Sequence, residues 1–550
     1  MTAASVVTAI VTSLITTVCL LHRLCVRTSQ VRRRTEDEKP SHIRAPTSLP
    51  GPLLRLRARL QEALPDSLLC PDLQDTFEES LRSYWAQQSC EVVPACVLRP
   101  QDARELAIAI RVLKNEFDVQ KYHEKKKSDV NVEGLFAVRG GGHSPVAGAS
   151  TSNGGVLIDL SLLNQVIISP GRETVVIGAG CKWARVYEAL EKQGLAVVGG
   201  RNLAVGVGGL TLGGGLSFFS PRLGLVCSNI VQYQVVLADG RIVAASATEH
   251  PDLWRALKGG SNNFGIVTSF TANAFPSSKV WSGFLYMLPS QAPKVLDAFH
   301  EYLNRVVSDA EGKTYDQYAA GPIACFTYLS KIGIQAIAVN LVHTQLPENR
   351  DKWPQCWRSS KFASLWRLWS TCKVRSLASA TGELHALNPP GRRQTWATTT
   401  VRNDPATAHK AYREGIQGIR EAGIKDVLWT LVLQPLLPDW ARRGQPNSLG
   451  LRECPDESLV IVQFTVNWAL NSDDKKMEEI TRTAIEHVDT FPDEHHICHS
   501  YMYLNHCGSW QKPLHSYGDV NLEFLKVVSQ KYDPDGLFQR GCAGGFKLGL

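Results

Sequence analysis

The sequence lacks the cysteine patterns of a disulfide scaffold or a zinc ribbon. Its 14 cysteines are scattered through 550 residues without one Cys-x-x-Cys pair. Cys70, Cys90 and Cys96 lie near enough in sequence to include one bridge, and their spacing does not choose among them. No asparagine stands in an Asn-x-Ser/Thr sequon, the acceptor of N-linked glycans in secreted proteins. The missing sequons weaken the case for secretion.

Charge is absent from the first 21 residues and concentrated directly after them. Residues 22–60 carry ten positive and three negative side chains. This surplus of seven equals the formal net charge of the whole chain, +7, so the remaining body is nearly neutral. Because the positive charge sits in one tail and not on a folded face, nothing in the sequence indicates nucleic-acid binding.

Residues 3–21 form an apolar stretch that is nearly long enough to span a bilayer. A cleavable signal peptide has its positive charges before the apolar run, whereas here they follow it. This order predicts an uncleaved, single-pass membrane anchor at residues 1–25, a basic and proline-containing linker at 26–64, and a catalytic body in the cytosol. The alternative is a secretion signal and a secreted protein.

A glycine triplet ends on a histidine and a serine in the segment Arg139-Gly140-Gly141-Gly142-His143-Ser144. Glycines let the backbone approach a bound group closely, and their amides remain free to donate to phosphate oxygens. The segment therefore predicts a site for a phosphate-bearing cofactor. The alternative is a flexible surface turn that contains an incidental histidine.

A second glycine-rich segment, residues 206–215, is filled out with Val and Leu. A flexible linker would contain serine and charged residues instead, so this segment is predicted to be buried. Glycine at this density in an apolar setting indicates backbone that lies against a large, flat group. Residues 206–209 open no amphipathic helix and no Gly-Lys-Ser or Gly-Lys-Thr follows, which argues against a Rossmann fingerprint and a nucleotidase phosphate loop.

Five ordered motifs resemble those of the berberine bridge enzyme-like flavoproteins, which have a vanillyl-alcohol oxidase (PCMH) type of FAD-binding fold. They are residues 139–144, 206–215, 259–268, Tyr503-Leu504-Asn505 with 516–518, and 531–539. The resemblance covers roughly residues 65–550. It implies an α+β fold with a two-subdomain FAD-binding domain at 92–276. It also implies a substrate domain at 277–500, with a large antiparallel sheet covered by helices. A C-terminal segment at 501–550 would complete the FAD site.

The resemblance also implies how FAD is held. The histidine of the first motif, here His143, would be bonded to the 8α carbon of the flavin. Members with a second bond have a cysteine where this chain has Asn202, so a single link is expected. Val205 falls where the family sets oxygen access to the flavin, and it is compatible with an oxidase. The other residues implied to contact FAD are Arg139, Gly140, Gly141, Gly142, Ser144, Gly206, Gly208, Gly209, Gly265, Ile266 and Val267.

Substrate oxidation needs a base within hydrogen-bond reach of the substrate. By period-two spacing, His499, Tyr501, Tyr503 and Asn505 are predicted to share one face of a strand. Tyr503-Leu-Asn505 matches the family's Tyr-x-Asn, which makes both residues candidate catalytic residues and Tyr503 the candidate base. A tyrosine with an ordinary pKa near 10 needs a neighbour or the flavin to lower that pKa. In the alternative interpretation, Tyr503 is a packing residue with its hydroxyl on the flavin rim.

These features favour an FAD-linked oxidase of secondary metabolism. It would take a hydride from a small aromatic, polyketide-like or alkaloid-like substrate, and O2 would reoxidise the flavin to form peroxide. The alternative is a flavoprotein cyclase that holds a reactive intermediate with little net redox turnover. The sequence does not name the substrate, because the variable middle domain builds the pocket.

Two further patterns have a simpler interpretation than a site. The residues His495, His496, Cys498, His499, His506 and Cys507 could suggest a metal, but adjacent His495 and His496 would point to opposite faces of a strand, so no metal is predicted. An aromatic run is predicted to be helix core, with a substrate pocket or a membrane-surface contact as alternatives. It comprises Trp353, Trp357, Phe362, Trp366 and Trp369.

Hydrophobic periodicity places the remaining elements. It predicts a strand at 174–177, a helix with Trp183, Val186, Tyr187 and Leu190 on one face, and a hairpin over 229–245 that turns at Asp239-Gly240. In the middle of the chain it predicts sheet strands at 282–287, 324–328, 334–341 and 459–468, and amphipathic helices at 293–306 and 473–491.

Overall fold

The structure is a computed structural model that describes residues 50–549 apart from 73, 126–133, 278, 308–315, 456 and 491–497. The predicted membrane anchor at 1–25 and most of the predicted linker lie outside the described residues. Within the described part of the chain, no helix combines the length and the apolar character needed to cross a bilayer.

The first sheet contains four strands in the order β1-β2-β4-β3. β2, β4 and β3 pair in parallel, and β1 pairs with β2 in the antiparallel sense. A parallel pair needs a crossover connection, and the helix Ala103–Lys125 provides the one between β2 and β3. The strands are Leu68–Leu69 (β1), Cys96–Leu98 (β2), Phe136–Arg139 (β3) and Val156–Asp159 (β4).

The second sheet is antiparallel and contains six strands in the order β5-β6-β10-β8-β9, with β7 also paired to β10. Its β8 and β9 form the hairpin that the Asp239-Gly240 pair predicts, and Gly240 has a φ of 79° in the turn. The strands are Val166–Ile168 (β5), Thr174–Gly178 (β6), Leu195–Val197 (β7), Ile230–Val236 (β8), Ile242–Ser246 (β9) and Ile266–Pro276 (β10).

The third sheet is a nine-stranded antiparallel sheet in the order β14-β11-β13-β12-β17-β18-β16-β19, with β15 also paired to β11. All four strands that periodicity predicts in the middle of the chain lie in it. The strands are Val280–Met287 (β11), Ala319–Leu329 (β12), Ile334–His343 (β13), Trp369–Ser370 (β14), Lys373–Arg375 (β15), Arg393–Arg402 (β16), Leu428–Leu436 (β17), Leu459–Trp468 (β18) and Cys498–His499 (β19).

Three long amphipathic helices pack against one another and on the third sheet. They are Ala292–Val307, Pro405–Glu421 and Asp474–Asp489, and the last buries Met477, Thr481, Ile485 and Val488 at helical spacing. The other α-helices are Gly51–Ala63, Gln74–Leu81, Gln87–Cys90, Ala103–Lys125, Trp183–Glu191, Val207–Leu212, Ser220–Leu223, Pro251–Ala256, Gln355–Arg358, Leu377–Ala386, Pro438–Arg442 and Asp519–Tyr532.

This arrangement confirms the predicted α+β fold with a large antiparallel sheet covered by helices. One part of the predicted linker is wrong, because residues 51–63 form a helix. Its Leu56 and Leu60 are fully buried, and the helix packs against the helix Ala103–Lys125. Leucines four residues apart with arginines between them are typical of an amphipathic helix. The linker was predicted from the basic composition of this segment, without regard to that spacing.

The cysteines of the described residues are all free thiols. Cys70, Cys90 and Cys96, the three that were near enough in sequence to form a bridge, are among them. Burial raises the pKa of the Cys96 thiol to about 12, so this thiol stays protonated and unreactive at neutral pH.

Candidate active site

The two glycine-rich segments meet backbone to backbone. A Cβ atom placed on Gly206 would lie 2.5 Å from the backbone nitrogen of Gly141 and 2.6 Å from its Cα, closer than real Cβ atoms come to backbone. Cβ atoms on Gly140 and Gly208 would each lie 3.2 Å from the carbonyl oxygen of Ala179. Both segments and the turn at residue 179 therefore converge on one place.

The second segment opens a short helix, Val207–Leu212, which the sequence analysis did not predict. Its two glycines and its β-branched Val207 and Thr211 have low intrinsic helix propensity, so the helix depends on tertiary contacts. Val207 N donates to Cys181 O at 2.8 Å, and Gly206 forms an antiparallel bridge with Lys182. Those two contacts fix the start of the helix on the turn at residues 181–182.

We expect Gly206→Ala to separate the two glycine loops. Gly206 has a φ of −72°, which alanine tolerates, so the effect comes from the collision with the Gly141 backbone and not from backbone strain. Overpacking of this kind costs about 1–3 kcal/mol. The measurement is the unfolding temperature together with the FAD content of the purified variant. Gly418→Ala is the control, because a Cβ there meets nothing within 4 Å; an equal loss in both variants would contradict the role of the loop contact.

His143 follows the first glycine loop and is held by two tryptophans. Trp85 stacks on its ring with 4.3 Å between centroids and 9° between planes, and Trp396 lies 6.3 Å away. The Trp85 amide donates to Gly142 O at 3.0 Å, which ties the stacking residue to the loop. Burial lowers the pKa of His143 to about 3, so its ring is neutral at pH 7. Its Nε2 atom is buried and has no hydrogen-bond partner among the described residues.

The side chain of Arg139 turns away from the glycine loop. Its Nη2 donates to Asp159 Oδ2 at 2.7 Å and to Ser80 Oγ at 2.5 Å, and its guanidinium lies 4.5 Å from the ring centroid of Tyr84. Both Arg139 and Asp159 are buried. The Arg139 side chain therefore anchors the end of β3, and only its backbone is available to a ligand of the loop.

We expect Arg139→Met to destabilise the protein by about 3 kcal/mol, because the buried Asp159 carboxylate loses its closest ionic partner and keeps only Arg99 at 4.0 Å and the Ser161 amide at 3.0 Å. The free energy of unfolding in urea measures this effect. The exposed pair Arg241–Asp239 provides the matched control, and Arg241→Met should change stability by less than about 1 kcal/mol. Similar losses in both variants would contradict the anchoring role of Arg139.

Tyr503 and Asn505 lie against the second glycine segment. The Leu216 amide donates to the Tyr503 hydroxyl oxygen at 3.0 Å, and Asn505 Nδ2 donates to the same oxygen at 3.2 Å. Asn505 Nδ2 also donates to Leu210 O at 3.0 Å. Among the described residues the Tyr503 hydroxyl accepts twice and donates to none, so its own proton is free for a ligand.

The net pKa of Tyr503 is raised. Burial is the largest cause, and the hydrogen bond from Asn505, the charge of Arg201 and the Leu216 amide act in the lowering direction. Neighbours that favour the ionised form are thus present, as a candidate base requires, but they do not outweigh burial. Tyr503 is therefore protonated at neutral pH.

A polar cluster of Arg201, Gln434 and His506 lies beside Tyr503. Arg201 Nη2 donates to Gln434 Oε1 at 2.8 Å, and Gln434 Nε2 lies 3.2 Å from His506 Nδ1. Because an amide nitrogen can only donate, His506 Nδ1 is the acceptor. Burial and the charge of Arg201 lower the pKa of His506 to about 3, so this histidine is also neutral.

A chain of ring contacts joins His143 to Tyr503. Trp396 lies 6.3 Å from His143 and 5.9 Å from His506, and His506 lies edge-on to Tyr503 at 4.7 Å. The fold thereby brings the two principal sequence candidates into one site. Sequence analysis did not identify Trp85, Trp396, Arg201 or Gln434, since none belongs to a recognisable motif.

The predicted strand face from His499 to Asn505 is wrong. Only Cys498–His499 is strand, and Leu504–His506 is a turn of 3-10 helix. Tyr503 and Asn505 still face the glycine segment together, because hydrogen bonds to Leu210 and Leu216 replace the strand pairing. His495 and His496 lie outside the described residues.

The aromatic run that was predicted as helix core is also different in the structure. It is divided between the short helix Gln355–Arg358, a 3-10 turn and the strand β14. Trp357 and Phe362 are fully buried, whereas Trp366 is 53% exposed.

Within the described part of the chain, one group has donor atoms close enough to hold a metal ion, namely Asp316, His343 and Cys356. His343 and Asp316 already satisfy each other at 2.9 Å.

The residues of the site fit an FAD molecule. The two glycine loops pack backbone against backbone, so no side chain lies between them. The buried, unpartnered Nε2 of His143 and the free Tyr503 proton supply polar groups that need a ligand. Asn202 Oδ1 accepts from the Ala204 amide at 2.9 Å, where related flavoproteins with two links have a cysteine.

Comparisons with known proteins place this chain among FAD-binding proteins. A profile described as an FAD binding domain matches residues 94–246. The FAD-dependent monooxygenase tpcD of Cochliobolus heterostrophus is 33% identical over 484 residues, 84% of this chain and 87% of that protein. The crystal structure of 6-hydroxy-D-nicotine oxidase from Arthrobacter nicotinovorans has a TM-score of 0.66 at 21% identity, covering 86% of this chain and 97% of that chain. Berberine bridge enzyme from Eschscholzia californica has a TM-score of 0.65 at 16% identity, covering 90% and 100%.

The fold and the FAD binding domain define an FAD-dependent oxidoreductase. The chain belongs to the family of FAD-dependent oxidoreductases that includes tpcD, and it has the fold of 6-hydroxy-D-nicotine oxidase and berberine bridge enzyme. This finding confirms the resemblance of the sequence motifs, the fold and FAD as the cofactor.

Proposed function

We propose that this protein is an oxidase of secondary metabolism that removes a hydride from a small natural product and returns the electrons to O2. The observation that carries the proposal is the ring-lined cluster between His143 and Tyr503, with one group suited to hold a flavin and one suited to exchange a proton. Bound FAD supplies the hydride acceptor. The chain supplies the cradle, the tether and the proton-exchanging group.

His143 is the proposed attachment point of the flavin. A ring with a pKa of about 3 is uncharged at neutral pH, so a nitrogen lone pair would be available for the 8α carbon. The new C–N bond would replace a C–H bond of the 8α methyl group, with the protons lost to solvent, the two electrons taken up by the flavin and O2 reoxidising it. The stacking of Trp85 fixes the plane of the imidazole. Asn202 replaces the cysteine of doubly linked relatives, which supports a single link. The remaining proposed FAD contacts are the backbone of Arg139 to Ser144, Gly206, Gly208 and Gly209, and the segment 265–267.

Tyr503 is the proposed base, and Asn505 is the residue that positions it. The donors Asn505 Nδ2 and Leu216 N already point at the phenol oxygen, so they stabilise the phenolate when the proton leaves. Since burial keeps the resting hydroxyl protonated, only the ionised fraction accepts a proton from the substrate at a given pH. The reaction is therefore expected to accelerate as pH rises.

Val205 supports the use of O2. It precedes Gly206 at the contact between the loops, and its carbonyl accepts from the Trp183 amide at 3.1 Å. A small branched side chain at this place is compatible with oxygen reaching the flavin. The relative tpcD is called a monooxygenase. In a monooxygenase, one oxygen atom of O2 would enter the product instead of leaving as peroxide.

A substrate screen tests the proposed function directly. Metabolite fractions are added to the anaerobic protein, and bleaching of the flavin absorbance identifies a fraction that contains a hydride donor. With that fraction under air, an oxidase forms peroxide and leaves no labelled oxygen in the product when isotopically labelled O2 is used. Label in the product would indicate a monooxygenase, and product formation without any bleaching would indicate the cyclase.

The chain is further proposed to be anchored through residues 1–25, with the FAD-binding domain at 92–276, the substrate domain at 277–500 and the C-terminal segment at 501–550. The uncharged stretch followed by a basic flank supports the anchor. Alkaline carbonate extraction of a membrane fraction tests it. Recovery of a soluble chain shortened by some twenty residues would instead indicate a cleaved secretion signal.

A further inference from the structure

A small pocket lies between the second glycine segment and the third sheet, next to Tyr503. Leu216 contributes both to this pocket and to the hydrogen bond on the Tyr503 hydroxyl. The wall opposite consists of residues of β12 and β17 and of the helix Pro438–Arg442. Its lining has one charged side chain, Arg201, and one hydroxyl, Ser217, and the apolar side chains include Leu216, Phe218, Ile323 and Trp440.

The charged residue of the pocket, Arg201, has no anionic partner in the described part of the chain. A guanidinium has five N–H donors, and the one hydrogen bond that Arg201 makes there goes to the neutral amide oxygen of Gln434. The Arg201 side chain is partly buried beside the pocket, and burial lowers its pKa. The neighbouring His506 is neutral and adds no negative charge.

A desolvated charge without a counter-ion is costly, so proteins rarely keep one unless a ligand pairs with it. The buried arginines elsewhere in this protein follow that rule. Arg139 pairs with Asp159, and Arg393 pairs with Glu91 and Asp474. Arg222 and Arg255 are partly buried without an acidic partner among the described residues, but their guanidiniums lie over aromatic rings, 5.1 Å from the Phe275 centroid and 4.4 Å from that of Phe524. Arg201 is also partly buried, and in the described part of the chain it has neither an acidic partner nor an aromatic ring under its guanidinium. Its planar fork of donors matches a carboxylate or another oxyanion.

We propose that Arg201 binds an anionic oxygen of the substrate, and that the substrate is therefore an acid with an apolar body, such as an aromatic carboxylate or an ionised phenol or enol. This inference rests on the proposed function, because it assigns the substrate class of the same site. Gln434 positions Arg201: its amide oxygen accepts from the guanidinium while its nitrogen is fixed by His506. An anion on Arg201 places the body of the substrate beside the free proton of Tyr503.

The test uses benzoate as the anionic probe and benzamide as its neutral counterpart, each titrated into the purified holoprotein by isothermal calorimetry. We expect the wild type to bind benzoate more tightly than benzamide. Arg201→Met should weaken benzoate binding about 10- to 100-fold, since hydrogen bonds to a charged group are lost, while its affinity for benzamide stays the same. Arg201→Lys should retain part of the preference.

Gln434→Glu is the second variant, because it keeps the shape of the side chain but places a carboxylate on Arg201. It should abolish the preference for benzoate even if Arg201→Met fails to fold. Arg241→Met, at an exposed arginine that pairs with Asp239, is the matched control and should bind both probes as the wild type does. Equal binding of the two probes by the wild type, no benzoate binding, or unchanged benzoate affinity in both pocket variants overturns the proposal.

The failure of this inference can be separated from the failure of the proposed function. Calorimetry reports the probe, whereas the visible absorbance of the same samples reports the flavin. A yellow protein that ignores the charge of the probe contradicts only the substrate class. A colourless protein contradicts the proposed oxidase, whether or not Arg201 binds benzoate.

Discussion

The His143→Ala variant is expected to lose all of its covalently attached flavin. His143 carries the imidazole of the first glycine motif, and its ring is neutral and fixed by Trp85. Acid precipitation of the wild type should leave the yellow colour in the pellet, whereas precipitation of the variant should release free FAD into the supernatant. In-gel flavin fluorescence after denaturation measures the same difference.

His385 provides a matched control for this experiment. It lies close enough to His143 to influence its pKa, and its Nδ1 is likewise buried without a partner among the described residues. His385→Ala should keep the flavin on the protein. If His143→Ala keeps its covalent flavin and His385→Ala loses it, the attachment point is His385 and the assignment of His143 is wrong.

We expect Tyr503→Phe to lower kcat/KM by about 10²- to 10³-fold, the usual effect of removing a positioned general base. The pH profile carries the sharper prediction. Because burial raises the pKa of Tyr503 above its ordinary value of 10, the ionised form increases throughout the accessible range. In the wild type, log kcat/KM should rise with pH and reach no plateau below pH 10. In Tyr503→Phe this rise should disappear.

Tyr233→Phe is the control for loss of a buried tyrosine hydroxyl. Tyr233 is fully buried in the second sheet, and its hydroxyl has no hydrogen-bond partner among the described residues. Its removal should leave both the rate and the pH profile unchanged. A Tyr503→Phe enzyme that retains full turnover and the alkaline rise would show that another group takes the proton.

The close approach made by the two glycine segments was predictable because local sequence encodes it. The sequence analysis assigned the glycines at 140–142 and 206–209 to the approach of a bound group, and in the structure Gly141 and Gly206 let backbone approach backbone. The hairpin at Asp239-Gly240 and the helix Trp183–Glu191 were predictable for the same reason. Each depends on residues within one turn or one helical face.

The substrate side was not predictable, because it depends on the register of the third sheet. Trp396 lies on β16 and Gln434 on β17, two strands that both pair with β18. A shift of one residue in either strand would turn these side chains to the opposite face. Arg201 is inconspicuous in sequence, and only its missing counter-ion in the folded pocket distinguishes it. The strand predicted through Tyr503 was wrong for a related reason, since a turn of 3-10 helix, and not strand alternation, orients the Tyr503 side chain.

The visible absorption spectrum of the purified wild-type protein, recorded before and after acid denaturation, tests the central claim most directly. The account predicts flavin bands that correspond to one FAD per chain and that remain with the polypeptide after denaturation. A colourless protein from a host supplied with riboflavin would contradict it.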